Sequence, residues 1–212
     1  MIQGRFITFE GGEGAGKSTQ SRLLAEGLRA RGVDVVITRE PGGTRGAEAI
    51  RTLLLGLDGE GWNPRAEALL FAAARADHVE RVIRPALEAG QWVICDRYVD
   101  SSRAYQGGGS GLTDEEIMEV HRIGSCGMLP DLVVLVEVPP EEVAERLARR
   151  DAGEADRIGG RDAAYHVKVG RAFARFAEAE PQRFARIDGS GAVEATQALI
   201  LAAVLPFIEI AP

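Results

Sequence analysis

The sequence predicts an α/β fold, a doubly wound five-stranded parallel sheet flanked by helices. Three observations predict it. Apolar runs and helix-compatible stretches alternate along the chain. Three of the five apolar runs are nearly continuous, as befits strands buried on both faces of a parallel sheet. The first run feeds straight into G-x-x-x-x-G-K-[ST], Gly11 to Ser18, and a helical pattern follows it.

The first strand is "RFITFE" (5–10), and the helix after the glycine loop spans 17–31, stopped by Gly32 in "RARG". "VDVVIT" (33–38) is the second strand, followed by helical patterns over 44–56 and 64–89, the latter ending at Gly90 in "ALEAG". "QWVICD" (91–96) is the third strand. After it, "DRYVDSSRAYQGGGSG" (96–111) fits no regular element and reads as a long polar loop. A helix over 113–125, the strand "DLVVLVEV" (131–138) and a helix over 140–150 come next. "RRDAGEADRIGGRD" (149–162) is a second irregular, charged stretch. The chain then returns to a helix (162–180), the strand "RFARID" (183–188) and a last helix (192–208). Irregular segments after strands are where α/β proteins place their sites, although both stretches also suit solvated loops. No repeat or linker marks a second domain, so residues 1–212 are expected to form one.

Composition narrows the function classes. The 212 residues are 45% hydrophobic and 27% charged, as in an ordinary globular protein. The longest apolar run, "ALILAAVLPFI", is too short for a membrane span and contains Pro206. Arg5 and Glu10 bracket the N-terminal apolar residues, unlike a signal peptide. Cys95 and Cys126 have no companion ligands, which excludes a zinc framework and suits a reducing cytoplasm. A net charge of −7 argues against nonspecific nucleic-acid binding. Of 25 basic residues only Lys17 and Lys168 are lysines, and one of them falls in the glycine motif.

That motif is a phosphate cradle. Glycines let backbone N–H groups converge on phosphate oxygens, and the following helix N-terminus adds partial positive charge. Lys17 is expected to reach the β and γ phosphates of ATP, and the Ser18 hydroxyl to ligate Mg²⁺. No guanine-reading N-K-x-D is present, and "DGEG" (58–61) follows a helical pattern, so it reads as a surface turn. Asp96 ends a buried strand and can hold Mg²⁺ or its water, or else cap the next helix. Arg97 beside it can grip a phosphate bidentately, which points to an acceptor that itself carries phosphate.

The segments "FEGGEGAGKST", "TREPGGT", "AEALLFAAAR", "DRYVDSSRAYQGGG", "PDLVVLVEV" and "RRDAGEADRI" together resemble bacterial thymidylate kinases. These belong to the nucleoside-monophosphate kinase group of P-loop proteins. The resemblance implies Mg²⁺-dependent phosphorylation of dTMP to dTDP by ATP, on the way to dTTP, by a homodimer. ATP would lie on Gly11, Gly12, Glu13, Gly14, Ala15, Gly16, Lys17, Ser18 and Thr19. On the dTMP side it implies that Phe71 stacks on thymine and Arg75 hydrogen-bonds the base, the two sharing a helix face. "LLFAAA" would suit plain core equally well. Ser102, where some relatives have threonine, and Gln106 would meet the base edge, and Tyr105 the sugar. Arg51 and Arg97 would hold the acceptor phosphate, with Pro41 shaping the loop beneath. Arg39 in that loop suits either a role there or an ion pair with Glu40 or another neighbour.

Segment 149–162 corresponds to the family's lid. The resemblance implies an arginine at the transferring phosphoryl from the cradle or the lid; the variable cradle positions hold no base, which leaves Arg149, Arg150 and Arg157 as candidates, with Arg149 and Arg157 foremost. Gly159 and Gly160 replace an acidic residue common after "DRI". "DGSG" (188–191) corresponds to the adenine-holding turn, or is a simple turn. Glu13 would repel donor phosphates, so it should point toward the acceptor, where the resemblance implies that it meets the sugar 3′-hydroxyl or a water on Mg²⁺, unless it is a solvated loop residue. His78, His121 and His166 sit in no motif and are assigned to structure or surface.

Overall fold

The computed structural model describes residues 4–56, 61–139, 141–143, 146 and 157–209. Five parallel strands form one sheet in the order β2-β3-β1-β4-β5: β1 (Phe6–Glu10), β2 (Val35–Arg39), β3 (Trp92–Asp96), β4 (Leu132–Glu137) and β5 (Phe184–Asp188). Register sets Phe9 opposite Asp96 and Glu10 opposite Leu135, so β1 and β3 end within a residue of each other and β4 runs two residues further. β1 is buried along its whole length, Thr8 and Glu10 included, whereas in edge strand β2 only Val35 is buried and the later positions are half-buried or exposed. β2 starts two residues later than the sequence suggests, because Gly32 at φ +80° is still completing the turn after the helix.

The two faces of the sheet are covered by different helices. Ile7, Phe9, Ile94, Val134 and Val136 point one way, onto Leu24 and Leu28 of α1 (Lys17–Arg29) and Ile200 and Val204 of α8 (Val193–Glu209). Val133 and Leu135 point the other way, onto Phe173 and Phe176 of α7 (Ala163–Ala179). Phe6, Val93 and Cys95 complete that second face beneath Val79 and Ile83. The period-2 split of each strand between two apolar layers is what fixes its register.

Helix starts follow their capping residues. The Thr44 hydroxyl accepts from Ala47 N at α2 (Arg45–Leu55), and the Asn63 side chain accepts from Ala66 N at α3 (Pro64–His78). Thr113 and Glu116 form a reciprocal capping box at α6 (Asp114–Ser125), and the Asp162 side chain accepts from Tyr165 N at α7. The pattern over 64–89 is not one uniform helix. After α3 comes a π-helical turn, Val79–Ile83, and then α4 (Arg84–Glu88). Pro85 sits in the first turn of α4, where its missing N–H needs no partner and the wider π turn gives its ring room.

A clearer departure is 96–111, read from the sequence as a loop. It is helical: α5 (Val99–Ser102) runs into a π-helical segment, Arg103–Gly109. Gly108 and Gly109 serve close approach, while Gly111, at φ +89°, turns the chain. A Cβ on Gly108 would lie 2.5 Å from Cβ of Ala172 on α7. Pro206 does not end the last helix, which continues to Glu209. Among the described residues no helix is long and apolar enough to cross a membrane. Most of the expected helix over 140–150, most of "DGEG" and the first part of the lid segment lie outside the described residues.

Candidate active site

A cleft of about 530 Å³ opens at the C-terminal ends of β1, β2 and β3. At one end lies the glycine loop. Gly16 caps α1 with φ +89° and no side-chain cap, which leaves the first N–H groups of the helix unclaimed by side chains. Ala15 packs into the core and anchors the loop. Lys17 folds back, its Nζ donating to the carbonyls of Gly11 at 3.2 Å and Gly12 at 2.7 Å. Burial, with Arg97 adding repulsion, pushes its ammonium down to about 8. Ser18 Oγ donates to Asp96 Oδ2 at 2.5 Å, so the two hard oxygen donors sit together.

The middle of the cleft is built around Arg97. This residue has φ +70°, a left-handed conformation uncommon outside glycine, and its N–H donates to Phe9 O at 2.9 Å. The reversal ends β3 sharply and sends the guanidinium into the cleft. Nη2 donates to Glu13 Oε1 at 2.6 Å, and Nη1 to Ser101 Oγ at 3.1 Å and Gly11 O at 3.2 Å. Glu13 is therefore no solvated loop residue. Arg97 holds its carboxyl below the usual range against the opposing effect of burial. The Tyr105 ring lies under Arg97, 5.0 Å from guanidinium carbon to centroid, and burial raises its phenol to about 12.

At the far end Phe71 and Arg75, one helical turn apart on α3, both line the cleft. Arg75 is buried, and its Nε donates to Glu40 Oε2 at 2.7 Å. Its Nη2 donates to Ser102 Oγ at 2.9 Å. Ser102 and Gln106 close this end from the segment after β3. Arg51 donates to Pro41 O at 2.8 Å, bringing that arginine and that proline together on the cleft wall. Arg39 pairs with Glu48 on the surface rather than with Glu40.

Glu40 is committed inward, to Arg75 and, through Oε1, to Nδ1 of His78 at 3.0 Å. His78 Nε2 meets the Thr38 hydroxyl at 2.6 Å. Gly43, at φ +87°, lies over this imidazole, where a Cβ would come within 2.6 Å of it. That contact accounts for a glycine in "REPGGT". The histidine is structural, as expected, yet it braces the cleft.

Further support was illegible in the sequence because its partners are far apart along the chain. Glu10, fully buried, accepts from Tyr98 N at 2.8 Å and from Ser101 Oγ at 2.6 Å. Burial, with Asp100 nearby adding repulsion, pushes its carboxyl up to about 8. Asp100 is also fully buried and accepts two bonds from Arg183, at 2.6 and 2.9 Å, and one from Arg103 at 2.8 Å. Arg103 also forks onto Asp114 at 2.7 and 2.8 Å. This network clamps α5 to α6 and to β5.

Of the lid candidates, Arg149 and Arg150 lie outside the described residues. Arg157 Nε donates to Gly56 O at 2.7 Å, at the end of α2, and the residue is not among those lining the cleft. Arg146, which the sequence reading passed over, does line it. Its Nη2 donates to Gly189 O at 2.7 Å and to Glu142 at 2.8 Å, which joins the "DGSG" turn to the glycine-loop end. A Glu four residues before an Arg was the available signal, and surface helices carry that spacing widely.

The arrangement offers a phosphate cradle at one end, a ring and fixed polar groups at the other, and an arginine–carboxylate pair between. The thymidylate kinase family model matches residues 9–200. A thymidylate kinase from Rhizorhabdus wittichii is 56% identical over 202 residues, covering 95% of this chain and 97% of the relative. One from Bradyrhizobium sp. is 46% identical over 203 residues, covering 95% and 90%. The crystal structure of thymidylate kinase from Ehrlichia chaffeensis superposes with a TM-score of 0.78 at 32% identity, covering 95% of this chain and 98% of that one.

Proposed function

The chain belongs to the thymidylate kinase family and phosphorylates dTMP to dTDP with ATP, and from that premise we propose how its residues share the work. ATP lies with its phosphates on the Gly11–Thr19 loop, bound by backbone N–H groups at the start of α1 and by Lys17, which exchanges its carbonyl partners for phosphate oxygens. The adenine end lies near Arg146 and Gly189, whose hydrogen bond supports that assignment. Ser18 and Asp96 fit a Mg²⁺ ion, being adjacent hard oxygen donors in a cleft wide enough for the remaining ligands to be phosphate and water. When bound, Mg²⁺ supplies charge neutralisation at the transferring phosphate.

In the acceptor half, Phe71 stacks on thymine while Arg75, Ser102 and Gln106 address its edge. Tyr105 packs against the sugar and leaves no space for a 2′-hydroxyl. Arg97 and Arg51 hold the 5′-phosphate over the loop shaped by Pro41. An oxygen of that phosphate attacks the γ-phosphorus of ATP, the bond to the β–γ bridging oxygen breaks, and ADP leaves. The attacking group is already anionic, so no general base is required, and positioning with charge neutralisation carries the rate. Glu13 pairs with Arg97 and lies where it can meet the acceptor's 3′-hydroxyl or a metal-bound water. Arg149, Arg150 and Arg157 are the arginines proposed to approach the transferring phosphoryl from the lid.

The observation carrying this reading is the Arg97–Glu13 pair between the cradle and the Phe71–Arg75 end, which makes one cleft serve both nucleotides. Steady-state kinetics test it. Lys17→Ala should abolish turnover with the fold intact, and Arg97→Ala should raise KM for dTMP far more than KM for ATP. An Arg97→Ala enzyme with unchanged KM for dTMP would remove Arg97 from the acceptor site.

We also propose a cytoplasmic homodimer. Two unpaired cysteines are consistent with a reducing compartment. Exposed Leu53, Leu69 and Ile123 on the neighbouring helices α2, α3 and α6 give a partner apolar surface to cover.

A further inference from the structure

Glu67 on α3 is only 1% exposed and is not among the residues lining the cleft. Its two carboxylate oxygens serve different elements. Oε1 accepts from Gln106 Nε2 at 2.8 Å, in the π-helical segment, and Oε2 accepts from Arg161 Nη2 just before α7. Arg161 is in turn fixed by donating through Nη1 to Tyr165 Oη at 2.6 Å and Ser110 Oγ at 3.1 Å. Gln106 is equally buried, yet it reaches the cleft wall.

A carboxylate only accepts hydrogen bonds, so it dictates which end of the neighbouring amide it meets. The flipped amide would set oxygen against oxygen in a buried site, at the cost of an unsatisfied polar pair. We propose that Glu67 is a positioning residue for base recognition. By holding the NH₂ end of Gln106, it turns the amide oxygen toward the base as a fixed acceptor. Arg75, a donor with no acceptor capacity, lines the same end. Donor beside acceptor complements the thymine edge, which offers a carbonyl oxygen next to a ring N–H. The cytosine edge offers an amino group next to a bare ring nitrogen, the reverse pattern. Glu67 thereby selects the thymine-type edge through Gln106, without touching the nucleotide.

This inference rests on the Phe71–Arg75–Gln106 end being the base site, and a double-mutant cycle separates the two claims. The enzyme carrying Glu67→Gln, Gln106→Ala or both is assayed with dTMP, dCMP and ATP varied in turn. Glu67→Gln keeps the shape but lets the Gln106 amide sit either way. It should raise KM for dTMP about tenfold, leave kcat within about twofold and leave KM for ATP unchanged. The preference for dTMP over dCMP in kcat/KM should fall by about tenfold. On the Gln106→Ala background Glu67→Gln should add nothing to KM for dTMP.

If Gln106→Ala raises KM for dTMP but Glu67→Gln does not, or if the two effects add in full, the positioning role is overturned and the base site stands. If Gln106→Ala changes nothing, both fall. Thermal unfolding of each variant checks the fold. Should Glu67→Gln not fold, Glu67→Asp, which keeps the charge for Arg161 but withdraws the acceptor by one methylene, replaces it in the cycle with the same expectations.

Discussion

Glu10 stands one residue before the glycine loop with its carboxyl titrating near 8, and that shift has a consequence for stability. Its folded value lies above the usual 4.5, so between about 4.5 and 8 the folded state binds more protons than the unfolded chain. The stability it contributes is full below about 4.5 and lost as pH rises through 8. Lys17 works in a separate window: its folded value of about 8 against 10.5 makes stability rise with pH only above 8. Glu10→Gln keeps an acceptor for Tyr98 N and reverses the second bond, its amide nitrogen donating to Ser101 Oγ. It should therefore lose the pH dependence below 8, with thermal midpoints at pH 5 and pH 8 closer together than in the unaltered chain. Parallel curves would remove Glu10 as their cause. At this scale the sequence discloses residues whose chemistry depends on local spacing, such as Lys17, Ser18 and the Phe71–Arg75 pair. Glu10, Glu67 and Asp100 draw their meaning from partners 88, 39 and 83 residues away, and no local pattern announces them.

Strands and capped helices were legible because period and cap are written within a few residues. The segment after β3 was not. Ser101, Ser102 and three consecutive glycines are what a loop looks like, and helix propensity alone would melt them. Tertiary contacts override that preference: Gly108 admits α7 at close range, and Asp100 with Arg103 and Arg183 ties the segment to β5 and α6. The long helix over 64–89 concealed its π turn for a similar reason, since periodicity reads through a single widened turn, here the one just before Pro85. The clamp sets a prediction for the segment. Asp100→Ala leaves two buried or half-buried guanidinium groups without their shared carboxylate, and should cost about 3 kcal/mol, read by denaturant unfolding. It should also raise KM for dTMP more than KM for ATP, because the segment carries Ser102, Tyr105 and Gln106. A loss of stability with both KM values unchanged would make the clamp purely structural.

Taken whole, the molecule brings the glycine loop and the Phe71–Arg75 end to the C-terminal side of one sheet. β1 is central, β3 lies on one side and β4 on the other, so the loops after β1 and β3 face each other across the cleft. Fold class and strand number were readable from the sequence; the sheet order and the convergence of Arg75, Ser102 and Glu40 were not, because they arise only when distant segments pack. The apolar residues left outside on α2, α3 and α6 predict a dimer, with light scattering giving twice the chain mass. Leu69→Asp combined with Ile123→Asp should yield a folded monomer, and an unchanged mass would place the interface elsewhere. The central claim is that one cleft joins ATP to a thymine deoxynucleotide. The most direct test is ADP release measured over dTMP, dUMP, UMP, CMP, AMP and GMP. The account predicts fast turnover with dTMP and a steep fall for every ribonucleotide, whereas equal rates on ribo- and deoxynucleotides, or no stimulation by dTMP, would contradict it.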